Sequence, residues 1–206
     1  MSVVARTLAS VALPAAVLLA TACGSNSSPT SPSTPATTPG TAVRSEVPPG
    51  TPTFAVASPD LADGQAFPAA GYANVFGCSG ANHAPTVTWS GAPATAKSFA
   101  LTMFDPDAPT GSGFWHWMIW DIPATATSAT DPVPAGAVAG TNNAGTTGYV
   151  GPCPPTGDPA HHYKISVLAL DVPTLGLPAA TPPAAATFAM HNHVVGEGHL
   201  TATAQR

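Results

Sequence analysis

The chain has 206 residues, 44% of them hydrophobic and only 7% charged, so it can build a core and is not disordered from end to end. Its 25 Pro and 19 Gly predict long stretches of irregular backbone. A formal net charge of −5, with only Arg44, Lys97, Lys164 and Arg206 scattered beyond residue 23, excludes a basic surface for nucleic acid.

The first segment reads as a targeting signal. Arg6 is the lone cation ahead of an apolar run from Leu8 to Ala20, and Ala20-Thr21-Ala22-Cys23 closes it. At about 1.5 Å per helical residue the run falls short of a hydrocarbon core about 30 Å thick, so a signal peptide over residues 1–22 fits better than a membrane span. Small residues before a Cys resemble the bacterial lipobox, which implies lipidation of Cys23. Ala20 departs from that pattern, where Leu is usual, and the competing reading is an ordinary signal peptide cleaved near Ala22. Residues 23–52 are rich in Ser, Thr, Pro and Ala and nearly devoid of bulky apolar side chains. Such a segment cannot offset its ordering entropy and acts as an extended tether. The expected layout is a lipid anchor, a tether and one folded domain over 53–206, on the extracytoplasmic face of a cell membrane.

An exported chain meets an oxidising compartment. With Cys23 assigned to lipid, Cys78 and Cys153 remain, and they are either a disulfide or two buried thiols.

Beyond Phe54 the pattern is one of short strands and turns. Thr86–Trp89, Ser98–Phe104, Trp115–Ile122 and Tyr163–Leu170 are β-branched, alternating or continuously apolar runs bounded by Gly and Pro. The last of these has few charges on either flank and is expected to be covered on both faces. Helix is expected only around Pro183–Val195, where Pro opens an Ala-rich stretch. The fold class is mostly β.

Two segments carry candidate chemistry. Asp105-Pro106-Asp107-Ala108-Pro109 leaves the strand ending at Phe104, and its prolines make a rigid exit that fixes two carboxylates. Seven residues on, His116 sits within Phe114-Trp115-His116-Trp117; strict strand alternation puts it on the same face as Met118 and Trp120. The second segment, Gly151-Pro152-Cys153-Pro154-Pro155-Thr156-Gly157-Asp158-Pro159-Ala160-His161-His162-Tyr163, leads into a strand. There His161 and Tyr163 share a face and His162 points away. Taken singly, each motif also fits a plain turn, a core histidine or a surface connector.

In this order and spacing the segments resemble the phosphatidylethanolamine-binding, or Raf-kinase-inhibitor-like, family, most closely its bacterial branch. Further matching pieces are Gly77-Cys78-Ser79-Gly80-Ala81-Asn82, Trp89-Ser90-Gly91-Ala92-Pro93, Ala169-Leu170-Asp171 and His193-Val194-Val195. The resemblance implies a β-sandwich with few peripheral helices, one of them C-terminal. It also implies a small cavity that binds phosphate-like or carboxylate groups, lined by Asp105, Asp107, Pro109, His116, Pro155, His161 and Tyr163. The expected ligand is a small anion or a phospholipid headgroup, with no cofactor and no catalytic residue. Asp105 and Asp107 are expected to orient His116 and His161 as imidazolium donors, with the Tyr163 hydroxyl as a further donor, so that binding weakens as pH rises. Two alternatives use other chemistry. One is a metal-binding or hydrolytic enzyme built on the Asp/His cluster; the other is a protein-interaction module, which an exposed apolar patch at Phe114 and Trp115 would mark.

Overall fold

The computed structural model describes residues 46–206, so the signal segment, Cys23 and most of the tether lie outside the described residues. The strands are β1 (Ala55–Ala57), β2 (Val87–Ser90), β3 (Ser98–Asp105), β4 (Phe114–Pro123), β5 (Ser128–Ala129), β6 (Val138–Ala139), β7 (His161–Leu170) and β8 (Val194–Ala204), with one helix, α1 (Pro183–His191), before β8. They form a three-stranded sheet in the order β1-β2-β5 and a five-stranded sheet in the order β6-β4-β3-β7-β8, every named pairing antiparallel. Among the described residues no helix is long and apolar enough to cross a membrane.

Side-chain alternation along the large sheet supplies two cores. One face of β3 and β7 carries Phe99, Leu101, Met103, Tyr163, Ile165 and Val167, which pack with Val87, Trp89 and Ala129 of the small sheet. The opposite face carries Ala100, Leu168 and Leu170, covered by Ala186 and Met190 of α1. Residues Ile165–Leu170 are therefore all buried, as a strand sheltered on both sides requires. The helix stops at His191, short of the Val195 expected from sequence, because the chain turns into β8.

Two parts of the sequence reading change. The folded unit begins before residue 53: Val47 is 7% exposed and packs in the second core, and the Pro52 carbonyl accepts the Glu197 backbone N–H at 2.9 Å. The segment 46–52, expected to be tether, is thus part of the domain. Strand β8, which carries Gly196 and Gly198, was not anticipated. A Cβ on Gly198 would lie 2.5 Å from the Phe54 carbonyl oxygen, so Gly there lets the β1 segment cross the sheet edge closely.

Strand β4 spends ten residues opposite the eight of β3. The ladder pairs Met103 with Trp117 and Phe104 with Trp115, so His116 is an extra residue in a β-bulge. A second irregularity falls between Phe99 and Leu101. These two insertions decide where the β4 side chains point.

Candidate functional site

The end of β3 delivers the first carboxylate. Asp105 is 2% exposed, and its Oδ1 accepts the backbone N–H groups of Asp107 at 2.8 Å and Ala108 at 3.1 Å. That local turn, forced by the flanking prolines, leaves Oδ2 to meet the Nδ1–H of His161 at 2.8 Å. The His161 side chain is 5% exposed, at the start of β7, and its Nε2 lies 3.4 Å from Asp158 Oδ2. Burial by itself lowers the His161 pKa, but the hydrogen bond and charge of Asp105 outweigh it. With smaller contributions from Asp158 and Asp107, His161 stands above the ordinary histidine value.

Two residues on, Tyr163 is fully buried on the same side of β7, as the two-residue period dictates. Burial, and after it the nearby Asp105 carboxylate, pushes its pKa up. Its hydroxyl faces the Asp105 carboxylate, a less direct contact than the His161–Asp105 hydrogen bond.

His116 joins this group through the bulge. Its ring lies edge-on to Tyr163 at 5.1 Å and against Phe114 at 4.7 Å. The expectation that it shares a face with Met118 and Trp120 is overturned, because the extra residue interrupts alternation; Trp115 turns instead to stack on Phe104 at 4.4 Å and pack in the second core. The electrostatic expectation changes too. His116 Nδ1 faces the Val150 carbonyl oxygen at 2.9 Å, and burial drives its pKa down to about 4. It is a neutral imidazole near pH 7, not an imidazolium.

Asp107 orients neither His116 nor His161 by a direct bond. Its Oδ2 accepts the backbone N–H of His162 at 2.7 Å and the His162 Nδ1–H at 2.8 Å. Burial pushes the Asp107 pKa up, but the two His162 bonds prevail and hold it below the usual carboxylate value. This pair is half open to solvent, with side-chain exposures of 41% for Asp107 and 61% for His162, and forms the rim. Pro109 and Pro155 are both exposed on their loops, outside the hydrogen-bonded cluster. The structure therefore gathers Asp105, His116, His161 and Tyr163, sets Asp107 beside them, and leaves the two prolines at the surface.

Sequence reasoning passed over three positioning groups. Asn82, at φ +52°, accepts the Gly151 backbone N–H at 2.8 Å and donates to the Tyr149 carbonyl at 3.1 Å, pinning both flanks of Val150. Val150 is a backbone partner that no side-chain pattern discloses. Asp158, three residues before His161, had a visible signal in that spacing. Cys78 and Cys153 form a disulfide, which resolves the alternative of two free thiols. It joins the loop of Asn82 to the loop entering β7. Beside it Phe76 is 63% exposed and meets Phe114 edge-on at 6.5 Å, so the apolar rim is Phe76 with Phe114, not Phe114 with Trp115.

A family profile described as phosphatidylethanolamine-binding protein matches residues 57–205. The chain belongs to that family. It is 38% identical over 156 residues to the UPF0098 protein YbcL of Escherichia coli, covering 72% of this chain and 85% of YbcL. The crystal structure of YbcL, described as a new member of the mammalian PEBP family, superposes with a TM-score of 0.73 at 37% identity, covering 74% of this chain and 98% of that one. LppC of Mycobacterium tuberculosis, whose name proposes it to be a lipoprotein, is 39% identical over 149 residues, covering 72% of this chain and 70% of LppC. Among the described residues of this family member, no three His, Cys, Asp or Glu side chains are grouped so as to hold a metal ion.

Proposed function

We propose that this chain is a lipid-anchored envelope protein whose domain binds a small anion, in free form or as a phospholipid headgroup, without turning it over. The observation that carries the reading is the buried Asp105–His161 pair beside the Tyr163 hydroxyl. Asp105 keeps His161 protonated and fixes its ring; His161 Nε2, held only by a long contact to Asp158, can redirect its N–H to an oxyanion. Tyr163 then donates the second hydrogen bond. Asp107 and His162 stand at the rim, and Phe76 and Phe114 offer apolar contact to whatever the anion carries.

Calorimetric titration of the intact protein with methyl phosphate tests this. His161→Gln and Tyr163→Phe are each expected to weaken binding by about ten-fold, the worth of one lost hydrogen bond to a charged group. Affinity is expected to fall as pH rises through the His161 titration, which lies above its ordinary value. Unchanged affinity in both variants would exclude the seat.

The anchor rests on the Ala20-Thr21-Ala22-Cys23 motif and on the likeness to LppC. Labelled palmitate is expected to enter the wild-type chain expressed in a bacterium, and Cys23→Ala is expected to abolish labelling and release the protein from membranes. Equal labelling of both chains would remove the anchor from this reading.

A further inference from the structure

We infer that the outer face of α1 rests on the zwitterionic lipid surface that holds the anchor, with Phe188 seated at the boundary between headgroups and acyl chains. This orientation rests on the anchored reading above and adds which side of the domain meets the membrane.

A helix on a protein surface normally turns charged or polar side chains to water. Helix α1 does not. Its inner side buries Pro183, Ala186, Thr187 and Met190, and its outer side carries Ala184, Ala185 and Phe188. Thr187, its one hydroxyl, donates back to the Pro183 carbonyl at 3.1 Å. Phe188 is 77% exposed, more than any other large hydrophobic side chain among the described residues. An aromatic ring left in water in this way gains free energy from any surface that covers it.

The surroundings extend the face. Residues 172–190 include no Asp, Glu, Lys or Arg, and exposed Pro178, Ala180 and Pro182 lead into the helix. The charged groups at the border already have partners. Asp121 accepts the Thr174 hydroxyl and the Leu175 backbone N–H, each at 2.8 Å, and Asp171 meets the His193 ring at 2.9 Å. Covering the face therefore strands no unpaired charge.

The place where the chain enters the domain favours lipid as the occupant. His191, the last residue of α1, donates from Nδ1 to the Glu46 carbonyl at 2.9 Å, and Val47 packs in the core that α1 covers. The segment leading from Cys23 thus joins the domain at the end of α1. An anchor at Cys23 draws this side toward the bilayer and raises the local concentration of lipid beside Phe188. With no Lys or Arg the face lacks the basic cluster that anionic lipid attracts, and it suits a zwitterionic surface.

Quenching by brominated lipid tests this on the full chain, lipidated in a bacterium and reconstituted into phosphatidylcholine vesicles. Bromine on the acyl chains quenches a tryptophan only at short range. The native Trp89, Trp117 and Trp120 are buried and Trp115 is partly so, and the wild type supplies their background. Phe188→Trp is expected to lose most of its added emission in brominated vesicles, and Phe76→Trp is expected to lose little. Both positions are exposed, so neither change disturbs the core. High salt is expected to leave the quenching unchanged. Palmitate labelling of the same samples reports the anchor. An anchored chain with Phe188→Trp unquenched, quenching at Phe76→Trp instead, or quenching lost in salt would each overturn the inference and leave the anchor standing. Shielding of Phe188→Trp that follows protein concentration and not bromine would give the face to a second copy of the chain, and would also overturn it. A chain that takes up no palmitate would overturn the anchor itself, and this orientation with it.

Discussion

Replacing Cys78 and Cys153 together by Ser is expected to lower the stability of the domain substantially while leaving anion affinity nearly unchanged. The bond closes a loop with a sequence separation of 75 residues. In the chain-entropy account, a crosslink of that span removes about 4 kcal/mol of conformational freedom from the unfolded chain. For a domain of this size that corresponds to a fall in Tm of about 10 °C. The native loops have a second tie. Arg206 donates from Nη1 to the Gly77 carbonyl at 2.8 Å and from Nε to the Pro154 carbonyl at 3.0 Å, bridging the same two segments. The folded geometry around Asn82 and Val150 therefore persists when the sulfurs are gone, and the loss acts through the unfolded state. Urea unfolding of both chains, with methyl phosphate titrations alongside, separates the two effects. A stability loss below about 1 kcal/mol would reject the entropic account, and a collapse of affinity would show that the bond shapes the seat.

Asp105→Asn is expected to be the most damaging single change to the site, with a pH dependence that identifies its cause. The amide keeps an oxygen for the Asp107 and Ala108 N–H groups, so the turn is retained. What disappears is the negative charge 2.8 Å from His161 Nδ1. Removing one member of a buried ion pair costs about 3–5 kcal/mol, because the other is left without compensation. The sign follows from linkage. His161 has a raised pKa in the fold, so its contribution is fully present below the unfolded value near 6.5 and is lost as pH rises through the folded one. The variant should therefore be far less stable than wild type at pH 6, by about 3 kcal/mol, and approach it in alkaline solution, where a neutral imidazole tolerates an amide neighbour. Anion binding should be lost at pH 6. A stability difference of the same size at both ends of the range would mean that Asp105 serves the turn and not the histidine.

Much of this was legible in the residues. Ser98–Phe104 and Tyr163–Leu170 announced themselves because strands buried on both faces must be apolar throughout. The proline-flanked carboxylates at Asp105 and Asp107 marked a rigid strand exit, and the His161/Tyr163 spacing put those two on one face. What failed to show was set by tertiary contacts. Strand β8 hid behind Gly196 and Gly198, whose missing side chains make room for Pro93 and for the Phe54 crossing and do not mark a turn. Residues 46–52 look like tether in composition, and only the packing of Val47 against the sheet makes them part of the domain. The protonation of His116 was misread because a histidine near carboxylates is expected to be charged. Burial of the ring decides the matter, outweighing the Val150 carbonyl and Asp105, which both favour the charged form, and that burial is set by tertiary packing that leaves no trace in side-chain pattern.

The bulge in β4 has a consequence for what could be removed from this molecule. Trp115 and Trp117 already have partners across the strand boundary, and His116 has none there. Excising that one amino acid would splice two properly matched halves of a hairpin into a shorter, more regular ribbon. The sheet can do without it, and the contact between its ring and Tyr163 cannot. The residue that interrupts an otherwise orderly weave is the one that ties the hairpin to Val150 and brings an imidazole ring against Tyr163.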